Sequence, residues 1–511
     1  MASLEDLIVA NNYFYRCLES TGSTGNREVL TFLVSNDTYV TGLTMKFAKA
    51  CAAAAGAETI VIPNIIRSSS VVKLIKSYSP KRITNVLLVM LNTLLLKFPW
   101  IFAKALVSFS GKSILSITID GVVVGPHIYD YLLTKCAVSS IDKVSLKMRL
   151  LIILELTYYF SAKRIIEASE NPLVLLPDNA YRQGMIFELC KKSSLECLAG
   201  LSMTQFSIYC YRAKGDYDNH CRTPSSKLID RVIGDGEFKN NATAYLDSRT
   251  KGEGQQHDVI RAFSSQKKNV SSKNLIESMS LCADKPIILV ASHIFRDAPH
   301  AYPNALFNDY TDWLVQTCTA LSKNKNVNFV VKEHPSTELY NEDGEVERVL
   351  RDIGLQNHLI SSDINTVSLM NVVDVLVTCG GTAGMEFACF GVPSVLAANP
   401  PYSKLGFTHN SISIDEYFCK LEDCHNFDRL NSQERDIALC SLYFINECLG
   451  AKKLDQLIGT QRLFLGKTID LSKFYKEMID DCQANIGYSA LVDDCYALFS
   501  DSKSHFFNEP A

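Results

Sequence analysis

Short apolar runs and amphipathic stretches alternate along the chain in two separate blocks. Residues 29–34 are continuously apolar and β-branched, as in a strand buried on both faces. A polar turn follows at 35–38, Asp37 and Thr38 being N-cap types; 39–55 has helical composition, and Gly56 suits the position after a helix. Residues 59–62 read as a second strand, closed by Pro63. Strand, helix and strand with short loops predict a parallel pair joined by a right-handed crossover. Residues 114–119 and 173–176 are expected to be further strands, each ending in a polar turn (Asp120, Gly121; Pro177, Asp178, Asn179).

From about 213 to 284 the chain turns polar, most clearly in KGEGQQH at 251–257. The rhythm then restarts. Strands are expected at 286–291, 327–332, 359–360, 375–378 and 394–398, with helices at 309–322, 346–353, 367–373 and 383–390. Beyond about 432 the pattern is helical only. The expected fold is α/β with two doubly wound, Rossmann-type domains facing across a cleft. The first spans 1–275 and ends in a polar helical segment; the second spans 276–430; C-terminal helices occupy 431–511. Ligands of open α/β sheets bind at the carboxyl ends of the strands, so the loops there are the ones to search.

Composition narrows the classes. In 511 residues, 47% are hydrophobic and 21% charged, enough apolar material for several cores. With 51 basic against 55 acidic residues the net charge is −4, which argues against nucleic acid as a partner. The 17 cysteines are scattered, without a CxxC pair or a zinc-type Cys/His spacing, as in a reduced protein with buried thiols. The N-terminus lacks the basic and apolar regions of a secretory signal. The longest apolar stretch, 83–96, is interrupted by Thr84, Asn85, Asn92 and Thr93 and followed by Lys97 and Pro99; it is short for a bilayer span. A cytoplasmic protein, peripheral to the inner face of the membrane at most, is expected.

Three loops of the second block carry candidate chemistry. At 375–393 a strand feeds Gly380 and Gly381, and a helix starts near Thr382. Glycines there let backbone N–H groups approach a phosphate, and the helix start adds partial positive charge; the bland alternative is a tight turn needing glycine for sterics. Glu386, one turn in, can reach ribose hydroxyls. At 330–335 a strand ends in Lys332, and Pro335 holds His334 extended at its carboxyl end, to bond a phosphate or act as an acid. At 291–300, His293, Arg296, Asp297 and His300 crowd one loop; Arg296 is the natural anion clamp, and the spacing matches no common zinc site, so no metal is expected.

These loops, with the GVP exit at 391–393 and PYSKLGFT at 401–408, resemble the capsule and surface polysaccharide glycosyltransferases of bacteria, in particular the Kdo transferases that use CMP-activated ulosonic acids. The resemblance covers about 285–420 well and is thin before 280. It implies the two-domain GT-B architecture. It implies that His334 and Thr382 contact the donor phosphate and Glu386 the nucleoside, with His293, Arg296 and Asp297 lining the same pocket. His300, Gly380, Gly381 and Lys404 complete the expected donor site. Threonine stands at 382 where many relatives have serine, and the acidic-acidic-Gly motif of some CMP-sugar transferases is not evident in the first half.

No cofactor is expected beyond a nucleotide-sugar co-substrate, most naturally CMP-linked. The first domain is expected to take a glycan or lipid-linked acceptor. Lys73, Lys76, Lys81 and Arg82 before the 83–96 run, with Lys97 and Lys104 after it, suit an anionic membrane surface; a buried helix with a solvated basic end is the plainer alternative. Asp178, after the 173–176 strand, is the leading candidate for the carboxylate that takes the acceptor proton, with Asp130 and Asp297 as alternatives and an N-cap as its structural reading. A nucleotide-sugar 2-epimerase or hydrolase, a transferase using a UDP-sugar, and an inactive scaffold are the competing functions.

Overall fold

The computed structural model describes residues 2–500 except 20–26, 34, 36, 66, 203–206, 213–214, 219–221, 225, 254–256 and 450–469. Asn36 of the first turn, 254–256 of the polar run and much of the expected C-terminal helical region thus lie outside the described residues.

The first sheet contains β1 (Glu28–Phe32), β2 (Glu58–Ile62), β3 (Arg82–Ile83), β6 (Pro172–Leu176), β7 (Cys197–Ser202) and β8 (Ser207–Tyr211), in the order β3-β2-β1-β6-β7-β8. All pairs are parallel except β7 with β8. A two-stranded hairpin, β4 (Thr118–Ile119) and β5 (Val122–Val123), stands apart. The second sheet is wholly parallel. Its strands are β9 (Ile287–Ala291), β10 (Asn328–Lys332), β11 (Val375–Thr378), β12 (Ser394–Leu396) and β13 (Thr408–Asn410), in the order β10-β9-β11-β12-β13. Helices cover both faces of each sheet, which is why β1, β2, β6 and β10 are apolar at successive positions rather than alternating. Two doubly wound α/β units facing across a cleft are the GT-B architecture.

The 114–119 segment departs from expectation. It opens as a helix, Gly111–Leu115, because Ser110 and Ser113 exchange side-chain and backbone hydrogen bonds in a capping box; only Thr118–Ile119 is extended. Residues 359–360 form no full strand, Leu359 making a single bridge to Val331. The described parts of 226–275, expected with the first domain, pack on the second. Ile229, Val232 and Phe238 meet Ala438 and Leu442, and Val259, Phe263 and Leu275 lie under β9 and β11. Conversely, the helices Leu471–Ala484 and Ile486–Ser500 return to the first domain, where Phe474, Met478 and Leu491 join Tyr39 and Phe47. Lys46 and Asp481, both buried, pair across that junction.

The apolar stretch at 83–96, read either as a membrane-facing surface or as an ordinary buried helix, is not a buried helix. The helix there runs Val86–Val107, 22 residues, long and apolar enough to cross a membrane, and most of it is exposed.

Candidate functional site

Each sheet has a switch point where chain order reverses, leaving a crevice at the carboxyl ends of two neighbouring strands. In the second sheet it lies between β9 and β11. His293 follows β9; Thr378, Gly381 and Thr382 end or follow β11; Lys332 and His334 come from β10 alongside. These residues line one cavity of about 100 Å³, together with Glu386 and Arg249.

The two imidazoles are held differently. His293 Nε2 lies 3.0 Å from Thr378 Oγ1 and accepts from the Cys379 N–H at 3.2 Å, so Nε2 is unprotonated and the ring neutral with its proton on Nδ1. The ring stacks on Tyr310 at 4.4 Å. Burial, and then the charge of His334, push His293 down to about 3. His334 receives the Ser336 N–H on Nδ1 at 3.2 Å, and its own N–H donates to Ser292 Oγ at 3.1 Å. Pro335 and these two bonds fix the ring beside the cavity. Lys332 is buried with its ammonium on the Ile364 carbonyl at 2.8 Å. Burial, and then Lys267 nearby, push it down to about 7. An anion in the cavity would restore that charge.

The β11 turn is built by close packing as well as by any ligand. A Cβ at Gly384 would stand 2.3 Å from the Tyr402 hydroxyl, which donates to the Gly381 carbonyl at 2.5 Å. Gly380 packs against Tyr302 and Pro400. Thr382 occupies the helix start, and its hydroxyl makes no capping bond. Glu386 is buried one turn in. Arg249, from the helix Gly236–Thr250, reaches it with Nε at 2.8 Å and a terminal nitrogen at 2.6 Å, both on Oε1. This partner sits in the polar region of the sequence and carried no local signal.

Five residues expected at the donor pocket are not in the cavity lining: Arg296, Asp297, His300, Gly380 and Lys404. Arg296 is turned to the Asn341 carbonyl at 3.1 Å and to Glu342 and Glu345, so it does not line the cavity. His300 donates to Asp130 at 2.6 Å across the domain junction. Lys404 is exposed on the loop between β12 and β13, outside the cavity lining.

The junction between the domains accounts for the placement of His300. Asp309 Oδ2 accepts from the Tyr129 hydroxyl at 2.5 Å and the Ser140 hydroxyl at 2.7 Å, while Thr134 donates to the Arg296 carbonyl at 2.8 Å. Asp130 is fully buried in this clasp and does not face a substrate, which corrects its candidacy as the base. Burial opposes the charged form of His300, but the charge of Asp130 and its hydrogen bond outweigh it, and His300 is raised above the ordinary value. A raised histidine stabilises fully below its unfolded value of about 6.5 and loses that contribution as pH climbs through the raised value. His300→Gln should therefore lower the melting temperature more at pH 6 than at pH 9; an equal drop at both would contradict the charged pair.

The first sheet's switch point, between β1 and β6, holds Asp178. Its Oδ1 accepts the Ala180 N–H at 3.0 Å, and its own N–H donates to Gln183, whose amide also holds the Phe32 carbonyl at the end of β1. It is not the N-cap of the next helix; Ala180 is, without a side-chain cap. Burial, and in smaller part the charge of Asp297, raise Asp178 to about 6 despite two backbone N–H bonds. Tyr181, left-handed at φ 51°, bridges to exposed Asp297 across the cleft at 3.1 Å. Among the described residues, no three His, Cys, Asp or Glu side chains converge as a metal site.

No protein-family profile and no curated protein matches the chain. Solved structures do. The chain is similar to the beta Kdo 2,7 transferase KpsC of Thermosulfurimonas dismutans at 12% identity, over 55% of this chain and 80% of that one, with a TM-score of 0.27. It is similar to MnaA of S. aureus in complex with UDP at 8% identity over 86% and 98%, TM-score 0.26, and to Anabaena Alr3699/HepE in complex with UDP-glucose at 10% over 89% and 99%, TM-score 0.25.

Proposed function

We propose that the protein is a glycosyltransferase that binds a nucleotide-sugar donor in the second domain and moves its sugar to a glycan or lipid-linked acceptor held by the first. The supporting observation is the placement of the two polar clusters. One, with Lys332, His293, His334 and Thr382, lies at the switch point of the second sheet; Asp178 lies at that of the first, across the cleft. Donor phosphates would lie against Lys332, His334 and Thr382, with the Glu386 carboxylate toward the ribose. Transfer breaks the bond between the anomeric carbon and the donor phosphate and forms one to the acceptor oxygen. The acceptor proton passes to Asp178, and the leaving phosphate keeps the electron pair beside Lys332 and His334. A CMP-linked ulosonic acid is the preferred donor, on the resemblance of residues 334–335, 380–386, 391–393 and 401–408.

Calorimetric titration with CMP, UDP and GDP tests the donor class. His334→Ala should weaken nucleotide binding at least about tenfold, roughly 1.4 kcal/mol. Because Lys332 binds a phosphate only when protonated, affinity should also fall as pH rises from 7 to 9. Unaltered affinity in His334→Ala would refute the assignment, and binding of UDP but not CMP would replace the preferred donor. Product formed from donor alone, without acceptor, would favour an epimerase or hydrolase.

A further inference from the structure

The helix Val86–Val107 has two faces. Val86, Met90, Thr93, Ile101 and Ala105 are buried and recur at helical spacing. They rest on the helix Leu146–Glu167 and the first domain's core. The opposite stripe is just as apolar but uncovered: Leu91, Leu95, Phe98, Phe102 and Leu106 are 41–79% exposed. Leu146 and Leu150 of the neighbouring helix extend the same surface, at 74% and 60% exposed. A contiguous exposed apolar surface on this scale marks a binding site.

Two observations identify what covers it. The first is charge. Residues 59–119, a span of 61, contain eight Lys and Arg and no Asp or Glu, in a chain whose 511 residues carry more acid than base. Lys97 lies over the Phe160 ring of the neighbouring helix, Lys104 lies over Trp100, and Arg82 stands before the helix beside Lys81, which pairs with Glu58. A protein partner would meet this surface with acidic residues or a second apolar face; a surface both apolar and cationic matches an anionic bilayer, which offers acyl chains beneath phosphates. The second is orientation. β3 precedes the helix in the sheet, Gly111–Leu115 follows it within the same domain, and Arg149 holds the carbonyls of Ala105 and Leu106. Both ends are tied to one side, so the helix cannot span.

We propose that Val86–Val107 lies in the plane of an anionic membrane, with Leu91, Leu95, Phe98 and Phe102 sunk to the headgroup–acyl boundary and the flanking lysines on lipid phosphates. Its C-terminal end leads through Ser110 and Lys112 to an interdomain groove of about 810 Å³ that also takes in Tyr129 and Arg348. The membrane face therefore adjoins one groove between the domains.

The test is vesicle sedimentation of the full-length protein, with phosphatidylcholine alone and with phosphatidylcholine mixed with phosphatidylglycerol. Binding to the anionic vesicles is expected, weakening at least about tenfold at high salt. A tryptophan placed on the exposed stripe by Phe98→Trp should be quenched by lipids brominated in their acyl chains, whereas the buried Trp313 should not. The triple variant Leu91→Gln, Leu95→Gln, Phe102→Gln should lose binding at an unchanged melting temperature, since all three side chains are exposed. Lys97→Glu with Lys104→Glu should lose the preference for anionic lipid. Absence of wild-type binding, or binding that survives the triple glutamine variant, would overturn the proposal. So would a dimer in light scattering that the triple variant dissociates while vesicles bind neither form. His334→Ala should bind vesicles normally, so failure of the donor assignment and failure of membrane seating are told apart.

Discussion

Arg249→Met is expected to destabilise the protein by about 3–5 kcal/mol, because it leaves the Glu386 carboxylate buried without its partner. The pair joins the helix Gly236–Thr250 to the first turn after β11, and both side chains are nearly inaccessible to water. The methylenes of methionine fill most of the space of the arginine stem, so the loss reports charge more than volume. A double variant, Arg249→Met with Glu386→Leu, should recover most of the stability, since removing both charges removes the desolvation cost of each. Urea unfolding of the single and double variants measures this directly. Additive losses would show that the two residues act through packing and not as a pair. If Glu386 also meets the nucleotide, the double variant will fold yet bind nucleotide more weakly, which separates its two roles.

Asp178→Asn is expected to reduce glycosyl transfer at least about a hundredfold, within the range that a general base contributes. Asparagine keeps an oxygen for the Ala180 N–H, so the turn after β6 is retained. The effect on stability has a definite sign. Burial raises Asp178 to about 6, so between about 4 and 6 the folded state holds a proton that the unfolded state has lost. Stability therefore declines as pH rises through that window, and above it the carboxylate costs folding energy. The asparagine variant escapes that cost and should melt at the same temperature as wild type or higher at pH 8. The wild-type rate, in turn, should rise with pH through about 6 as the base ionises. Near-normal activity in Asp178→Asn would leave the residue to the turn and move the search to Asp297, which faces it across the cleft. Asp130 is not a substitute, because its carboxylate is enclosed with His300.

The parallel strands were legible because each is bounded by punctuation: Pro63 after β2, Asp178 and Asn179 after β6, Gly380 after β11, Pro393 before β12. A strand buried on both faces announces itself as an unbroken apolar run, and the loop at its carboxyl end follows in the sequence. His293, Lys332, His334 and Thr382 could be placed at one sheet edge on that basis alone. The strands β3, β7, β8 and β13 were not anticipated: β3 and β13 are only two and three residues long, and β7 and β8 carry Gly200, Ser202 and Ser207 within or beside a bulged register. Residues 114–119 were misleading because isoleucines at 114, 117 and 119 bury equally well from a short helix and from a strand, and the Ser110–Ser113 capping box decided for the helix.

What the sequence by itself determined is therefore the α/β rhythm and the identity of the loops at the strand ends, since hydrophobic periodicity records which positions are buried and turn residues record where the chain reverses. What only the tertiary structure decided is the choice of partners. Arg249 finds Glu386 across 137 residues, Asp130 meets His300 across 170, and Arg296 turns from the cavity to Glu342 and Glu345. The helix Val86–Val107 likewise keeps one apolar face uncovered, where its composition left burial and exposure both open. The reason is physical: a local pattern fixes that a charge or an apolar face must be accommodated, but the low-dielectric contact that accommodates it is made by whichever distant segment the packing of the two sheets brings within reach.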